Sequence, residues 1–155
     1  MPINASSASQ PTRLYISRKE ASYRKIQNEE EVIACLQQFG FEQVLLETLT
    51  VKEQIALFST AEAIVAPHGA GLTNLVFCKP GAKLIEIFPQ DEVLDYYWLI
   101  SQYVGITYYY FLADSTESFI QRLRNHQQVS RYTLTTNMII HIEALLRTLR
   151  FAKIG

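Results

Sequence analysis

Ile64-Val65-Ala66-Pro67-His68-Gly69-Ala70-Gly71-Leu72-Thr73-Asn74 decides how this chain is read. An apolar strand stops at Pro67, a turn of small residues follows, and a helix is expected to begin near Leu72. A strand that runs through glycines into a helix start builds an anion site. The glycines let the backbone approach a phosphate, and the first-turn N–H groups point at it. The spacing is only G-x-G, with Asn74 where a full dinucleotide fingerprint has its third glycine. A tight strand-to-helix turn with no ligand is the alternative at this point.

Outward from the turn, strands and helices alternate. Arg13 to Ser17 reads as strand one, with Arg18 at its carboxyl end and Arg24 six residues on. Asn28-x-x-Glu31 suggests a capping box opening a helix with Val32, Ile33, Leu36 and Phe39 on its apolar face, stopped by Gly40. Phe41 to Glu47, around Val44-Leu45-Leu46, reads as strand two, buried on both faces. Thr50-x-x-Glu53 is a second capping box, opening a helix with Ile55, Ala56, Leu57 and Phe58 near the core. Ala63 to Ala66 is strand three. A short helix through Leu72, Leu75, Val76 and Phe77 ends at a Pro80-Gly81 turn, and Lys83 to Phe88 is strand four.

Val93 to Tyr103 is the next helix, with Leu94, Tyr97 and Trp98 towards the sheet and Gly105 as its cap. Ile106 to Leu112 is strand five by its β-branched and aromatic content. Its tyrosines read as packing rather than a nucleobase platform. Ser118 to Asn125 suggests a short helix, and His126 to Tyr132 a loop. Met138, Ile142, Leu145, Leu146 and Leu149 mark a long amphipathic helix. The alternation predicts an α/β fold: a Rossmann-like parallel sheet of about five strands with flanking helices. Residues 1–12, polar and rich in Ser and Ala, read as a disordered lead-in, and residues 13–155 as one domain.

Composition narrows the function. A 48% hydrophobic chain of 155 residues buries a core without disulfide or metal staples. A net charge of -1 leaves no basic excess for general nucleic-acid binding. Cys35 and Cys78 fit buried apolar positions in a reducing compartment, and with no leader pattern or spanning segment the expectation is a cytoplasmic protein. His68, His126 and His141 are too far apart for a zinc site. No G-x-S-x-G elbow is present, and no cofactor is implied.

What remains is a phosphate-binding constellation at the carboxyl edge of the sheet. Arg18 supplies a bidentate cation, Gly69 and Gly71 supply backbone donors, and His68 donates to a β-phosphate as the leaving group. Thr73 and Asn74 add side-chain hydrogen bonds. Glu86 stands between Ile85 and Ile87, where a carboxylate needs a partner. It reads either as a ribose ligand or as a paired charge facing a loop.

Several ordered motifs resemble the family 61 glycosyltransferases: Ile16-Ser17-Arg18 with Ala21, Arg24 and Asn28-Glu29; then Gly40-Phe41-Glu42 and Leu46-Glu47; then Ala66 to Asn74; then Pro80-Gly81 and Leu84 to Pro89. The resemblance covers roughly residues 13–89. It implies a GT-B enzyme of two Rossmann-like halves, inverting and with no obligatory metal, of which this chain resembles the C-terminal, donor-binding half. It implies a nucleotide-sugar donor, perhaps a UDP-sugar, and a glycan acceptor in polysaccharide biosynthesis. The donor-site residues it implies are Arg18, Arg24, Gly69, Ala70, Gly71, Leu72, Thr73, Asn74 and Glu86, with His68 in the catalytic role. An N-terminal half would come from a partner chain or from further sequence. Two alternatives stay open: a non-catalytic nucleotide- or phosphate-binding module that works with a partner chain, and a remnant with no ligand.

Overall fold

The computed structural model describes residues 10–90, 93–116 and 136–155. The elements in chain order are β1 (Arg13–Ile16), α1 (Glu29–Gln37), β2 (Glu42–Val44), a 3-10 turn (Leu46–Thr48), α2 (Val51–Thr60), β3 (Ala63–Pro67), a 3-10 helix (Ala70–Phe77), β4 (Lys83–Pro89), α3 (Tyr96–Val104), β5 (Thr107–Ser115), β6 (Met138–Ile139) and α4 (Ile142–Phe151). They form an α/β fold around one six-stranded sheet in the order β2-β1-β3-β4-β5-β6. The first five strands pair in parallel, and β6 adds antiparallel to the end of β5. Residues 1–9 of the expected lead-in, the helix over 118–125 and the loop over 126–132 fall outside the described residues.

β3 and β4 are central and almost entirely buried on both faces; every residue of β3 is buried, and Glu86 is the one polar side chain within the buried part of β4. Side chains alternate between two cores. Val65, Ile85 and Ile87 pack under α1 and α4 with Val32, Leu36, Leu145 and Leu149. Ile64, Ala66 and Leu84 pack under α2, the 3-10 helix and α3 with Phe58, Leu72, Leu75 and Tyr97. The chain leaves β1 for β2 on one side and then crosses back to β3 on the other. This reversal makes the carboxyl ends of β1 and β3 the switch point of the sheet, where open α/β sheets form their ligand crevice.

Several local expectations are met. Thr50 and Glu53 form the full capping box. Gly40 and Gly105 close α1 and α3 with left-handed φ values of 76° and 84°. Cys35 and Cys78 are buried free thiols.

Others are corrected. The second strand is short and lies at the sheet edge with Glu42 and Gln43 exposed, so it is not buried on both faces. Leu46 instead turns inward from a 3-10 turn. Asn28 makes no side-chain cap; its amide exchanges hydrogen bonds with the backbone of Ile140, at 2.8 and 3.0 Å. Ile55, Val76, Phe77 and Trp98 are exposed. The helix after the glycine turn starts at Ala70, not Leu72, and is 3-10 in kind. Met138 belongs to β6, where its backbone also bonds to Lys25 and Gln27.

Candidate functional site

The carboxyl edge of the sheet is built by short backbone extensions of its strands. His68 N–H donates to Ile87 O at 2.9 Å, continuing the β3–β4 ladder one residue past Pro67. Ser17 N–H does the same for β1, donating to Val44 O at 2.9 Å. The residues just beyond, Arg18 and Gly69, are thereby carried to the same place.

There a cleft of about 300 Å³ opens between the ends of β1 and β3. Ser17, Arg18, Glu47, Pro67, Gly69 and Gly71 line it, with Leu72 also on its wall and Glu20 at its side. Both glycines sit in close approach to side-chain tips. A Cβ on Gly69 would collide with the Arg18 guanidinium, and one on Gly71 would lie 2.6 Å from Leu46 Cδ1. The N–H groups of Gly69, Ala70 and Gly71 precede the first internal bond of the 3-10 helix, Leu72 N–H to Gly69 O.

Arg18 and Arg24 flank the ring of Tyr23, with guanidinium carbons 5.7 and 4.9 Å from its centroid. Burial, and then the neighbouring Arg24 charge, pull the Arg18 guanidinium below its ordinary pKa. Both arginines have a buried Nε without a hydrogen-bond partner. Among the described residues neither is joined to a carboxylate by an ion pair. Arg24 sits at φ 59°, in the left-handed region that a long side chain seldom adopts. Such strain persists only where the surroundings over-determine it.

The side chains of the 3-10 helix are committed locally. Thr73 Oγ1 donates to Ala70 O at 2.7 Å. The Asn74 amide donates to Gln54 Oε1 and Gly71 O, tying this helix to α2. Leu72 is a core residue.

The His68 ring is buried in a polar group within the α3-side core. Its Nδ1 lies 2.5 Å from Glu86 Oε1, and Tyr108 Oη donates to Glu86 Oε2 at 2.7 Å. Glu86 is completely buried. Both of its oxygens are engaged, and it lies behind His68 rather than at the surface. Of the two sequence readings, ribose ligand or paired charge, the structure shows the pairing, with the imidazole and the Tyr108 phenol as its partners. Phe88 stacks on His68 at 5.0 Å between ring centroids, and Tyr97 closes the other side at 5.1 Å.

Tyr97 links the two groups. Burial and Glu86 raise its pKa, while Arg24 and Arg18 oppose that rise, so its phenol stands in the field of all three. The structure thus brings Arg18, Gly69 and Gly71 together at the cleft, with Arg24 beside Arg18 across the Tyr23 ring and His68 next to Gly69. It places Glu86 in the interior and ties Asn74 to α2. Glu47, Glu20 and Tyr97 are the neighbours that residue-type reasoning did not assign to the site. Glu47 directly follows the apolar run that marks strand two, which was the available signal.

Among the described residues no helix is long and apolar enough to cross a membrane, and no cluster of His, Cys, Asp or Glu could hold a metal ion.

Comparison with known proteins bears on what such a site serves. The family model described as Glycosyltransferase 61 matches residues 2–85. A beta-1,2-xylosyltransferase of Oryza sativa subsp. japonica, XAX1, is 36% identical over 96 residues, which are 61% of this chain and 16% of that protein. The EGF domain-specific O-linked N-acetylglucosamine transferase of Drosophila melanogaster is 32% identical over 81 residues, 50% of this chain and 15% of that protein. Its Xenopus laevis counterpart is 26% identical over 140 residues, 87% of this chain and 26% of that protein. The matched part of this chain spans about a sixth of the length of the first two relatives. A match over more than half of the chain decides the question of kinship: this chain belongs to the glycosyltransferase 61 family.

Proposed function

We propose that this chain binds the nucleotide-sugar donor of a glycosyltransferase, with the donor diphosphate in the cleft between β1 and β3. The observation that carries this reading is the pair Arg18 and Arg24. Two guanidiniums share one aromatic ring beside a glycine turn, with buried Nε groups unsatisfied and no carboxylate ion pair among the described residues. Like charges held together in this way favour a bound anion, and a planar fork suits phosphate. Gly69 and Gly71 line the same opening, where Gly69 leaves room for Arg18.

In this reading His68, next to the cleft, contacts the donor nucleotide through Nε2. Glu47 and Glu20, on the cleft wall, accept from donor hydroxyls. The acceptor is a glycan hydroxyl, and no metal takes part. The rest of the machinery, acceptor site included, lies in a second Rossmann-like half of GT-B type.

Calorimetric titration of the chain with UDP in EDTA, with GDP as control, tests this. Binding of UDP is expected, weakened at least tenfold by Arg18→Ala. Equal affinity in wild type and Arg18→Ala would remove the cleft as the donor site.

A further inference from the structure

The donor-site reading uses His68 but leaves two buried polar groups behind it unexplained. Glu86 is 0% exposed in the middle of a strand otherwise apolar, and Tyr108 reaches it from β5. In register Tyr108 stands opposite Leu84, so its phenol crosses diagonally to Glu86, two residues further along β4. Glu86 in turn lies opposite Ala66 on β3, two residues before His68. Three adjacent strands thus each contribute one member to a chain of hydrogen bonds: Tyr108 Oη, Glu86 carboxylate, His68 Nδ1.

The direction of each bond follows from what the groups can do. A phenol donates and an ionised carboxylate only accepts. Glu86 Oε2 takes the Tyr108 hydrogen, and a hydrogen on His68 Nδ1 completes the pair at Oε1. Burial of Tyr108, and then its bond to Glu86, push its pKa well up, which keeps the phenol a donor. The ring is held flat by Phe88 and flanked by Tyr97. The bond at Nδ1 and this stacking hold the ring in one rotamer, and Nε2 is the nitrogen left without a partner among the described residues.

We propose that Tyr108 and Glu86 are positioning residues of the donor site: they hold His68 with its hydrogen on Nδ1 and present the Nε2 lone pair as an acceptor to a hydroxyl of the donor nucleotide. The proposal rests on the donor-site reading. It goes beyond it by assigning a role to a carboxylate that reaches no ligand itself and to a tyrosine on a different strand. Without the relay the imidazole has two tautomers and a free ring flip; with it, one face and one nitrogen are offered.

The test is nitrogen-15 NMR of the histidine side chains combined with UDP titration. The His68 signals are assigned by their loss in His68→Ala. In wild type, His68 is expected to show a hydrogen on Nδ1, with the Nε2 resonance moving when UDP is added. Tyr108→Phe should keep the fold, by circular dichroism, and weaken UDP binding three- to tenfold. Glu86→Gln should lose the fixed Nδ1–H signature and weaken binding more. Glu86→Asp, which keeps the acceptor, should recover part of it. A neutral His68 with its hydrogen on Nε2 overturns the proposal whatever UDP does. So does unchanged affinity in a folded Tyr108→Phe together with Glu86→Gln. A fixed Nδ1–H in a wild-type chain that binds no UDP locates the failure in the donor-site reading, and the proposal falls with it, leaving a structural buried pair.

Discussion

The two faces of β4 are built from one strand and behave as different materials. Ile85 and Ile87 enter a core under α1 and α4 made mostly of aliphatic side chains, with Tyr15, Cys35 and Met138 among them. Leu84, Glu86 and Phe88 alternate with them and face α3, where the core contains His68, Glu86 and the Tyr108 hydroxyl. Period-2 alternation assigns the faces, and a single carboxylate makes them unlike. The first face needs only volume and shape. The second needs every polar member present, because a buried carboxylate without its partners retains its desolvation cost and loses the interactions that offset it.

The largest effect should come from removing one member of the polar face. Glu86→Ala leaves His68 and Tyr108 without their acceptor and opens a cavity, and is expected to cost about 4 kcal/mol in urea unfolding. Ile87→Ala, one residue along and on the other face, should cost about 3 kcal/mol as a pure cavity. UDP affinity of the folded fraction should be unaltered in Ile87→Ala and lost in Glu86→Ala. Equal losses of affinity in the two variants would erase the distinction between the faces.

Replacing the whole polar group sharpens the comparison. His68→Leu with Glu86→Leu and Tyr108→Phe converts the second face into hydrocarbon of similar volume. Buried ionic groups replaced in this way often leave stability nearly neutral. The triple variant should fall within about 1 kcal/mol of wild type while UDP binding disappears in calorimetry. A loss near that of Glu86→Ala alone would instead give the polar chain a stabilising role.

Much of this was legible in the residues themselves. The β-α alternation, the central place of β3 and β4, the Thr50 cap and the Gly40 and Gly105 stops follow from patterns that span only a few positions. The convergence of Arg18 with Gly69 was also within reach, because both stand at strand ends that a parallel sheet brings to one edge. What could not be read was anything set by contacts distant in sequence. Asn28 has the spacing of a cap, but Ile140, 112 residues away, takes its amide. Val44-Leu45-Leu46 has the composition of a buried strand, but the sheet order puts β2 at the edge. Glu86 advertises a need for a partner, and nothing local says that the partner is His68, 18 residues earlier.

The two cysteines give the smallest and most direct probe of the same contrast, one thiol on each face. Cys35 lies on α1 in the first core and Cys78 follows the 3-10 helix in the second. Burial pushes both thiols above their ordinary pKa, Cys78 to about 11. In the unfolded chain a thiol ionises at its ordinary pKa, while in the folded chain it stays protonated. The folded state therefore holds more protons above that pKa, so stability is full below it and falls as pH rises towards the folded value. For Cys78 the loss should run between about pH 9 and 11 and reach about 1 kcal/mol near pH 10. Urea unfolding from pH 8 to 10.5 should show a shallower alkaline decline in Cys78→Ala than in wild type. Cys35→Ala should flatten the curve less, because its thiol is raised less far. Identical pH slopes in wild type and Cys78→Ala would mean that the Cys78 thiol ionises as readily in the folded core as in water, and that the second face is wetter than its packing implies.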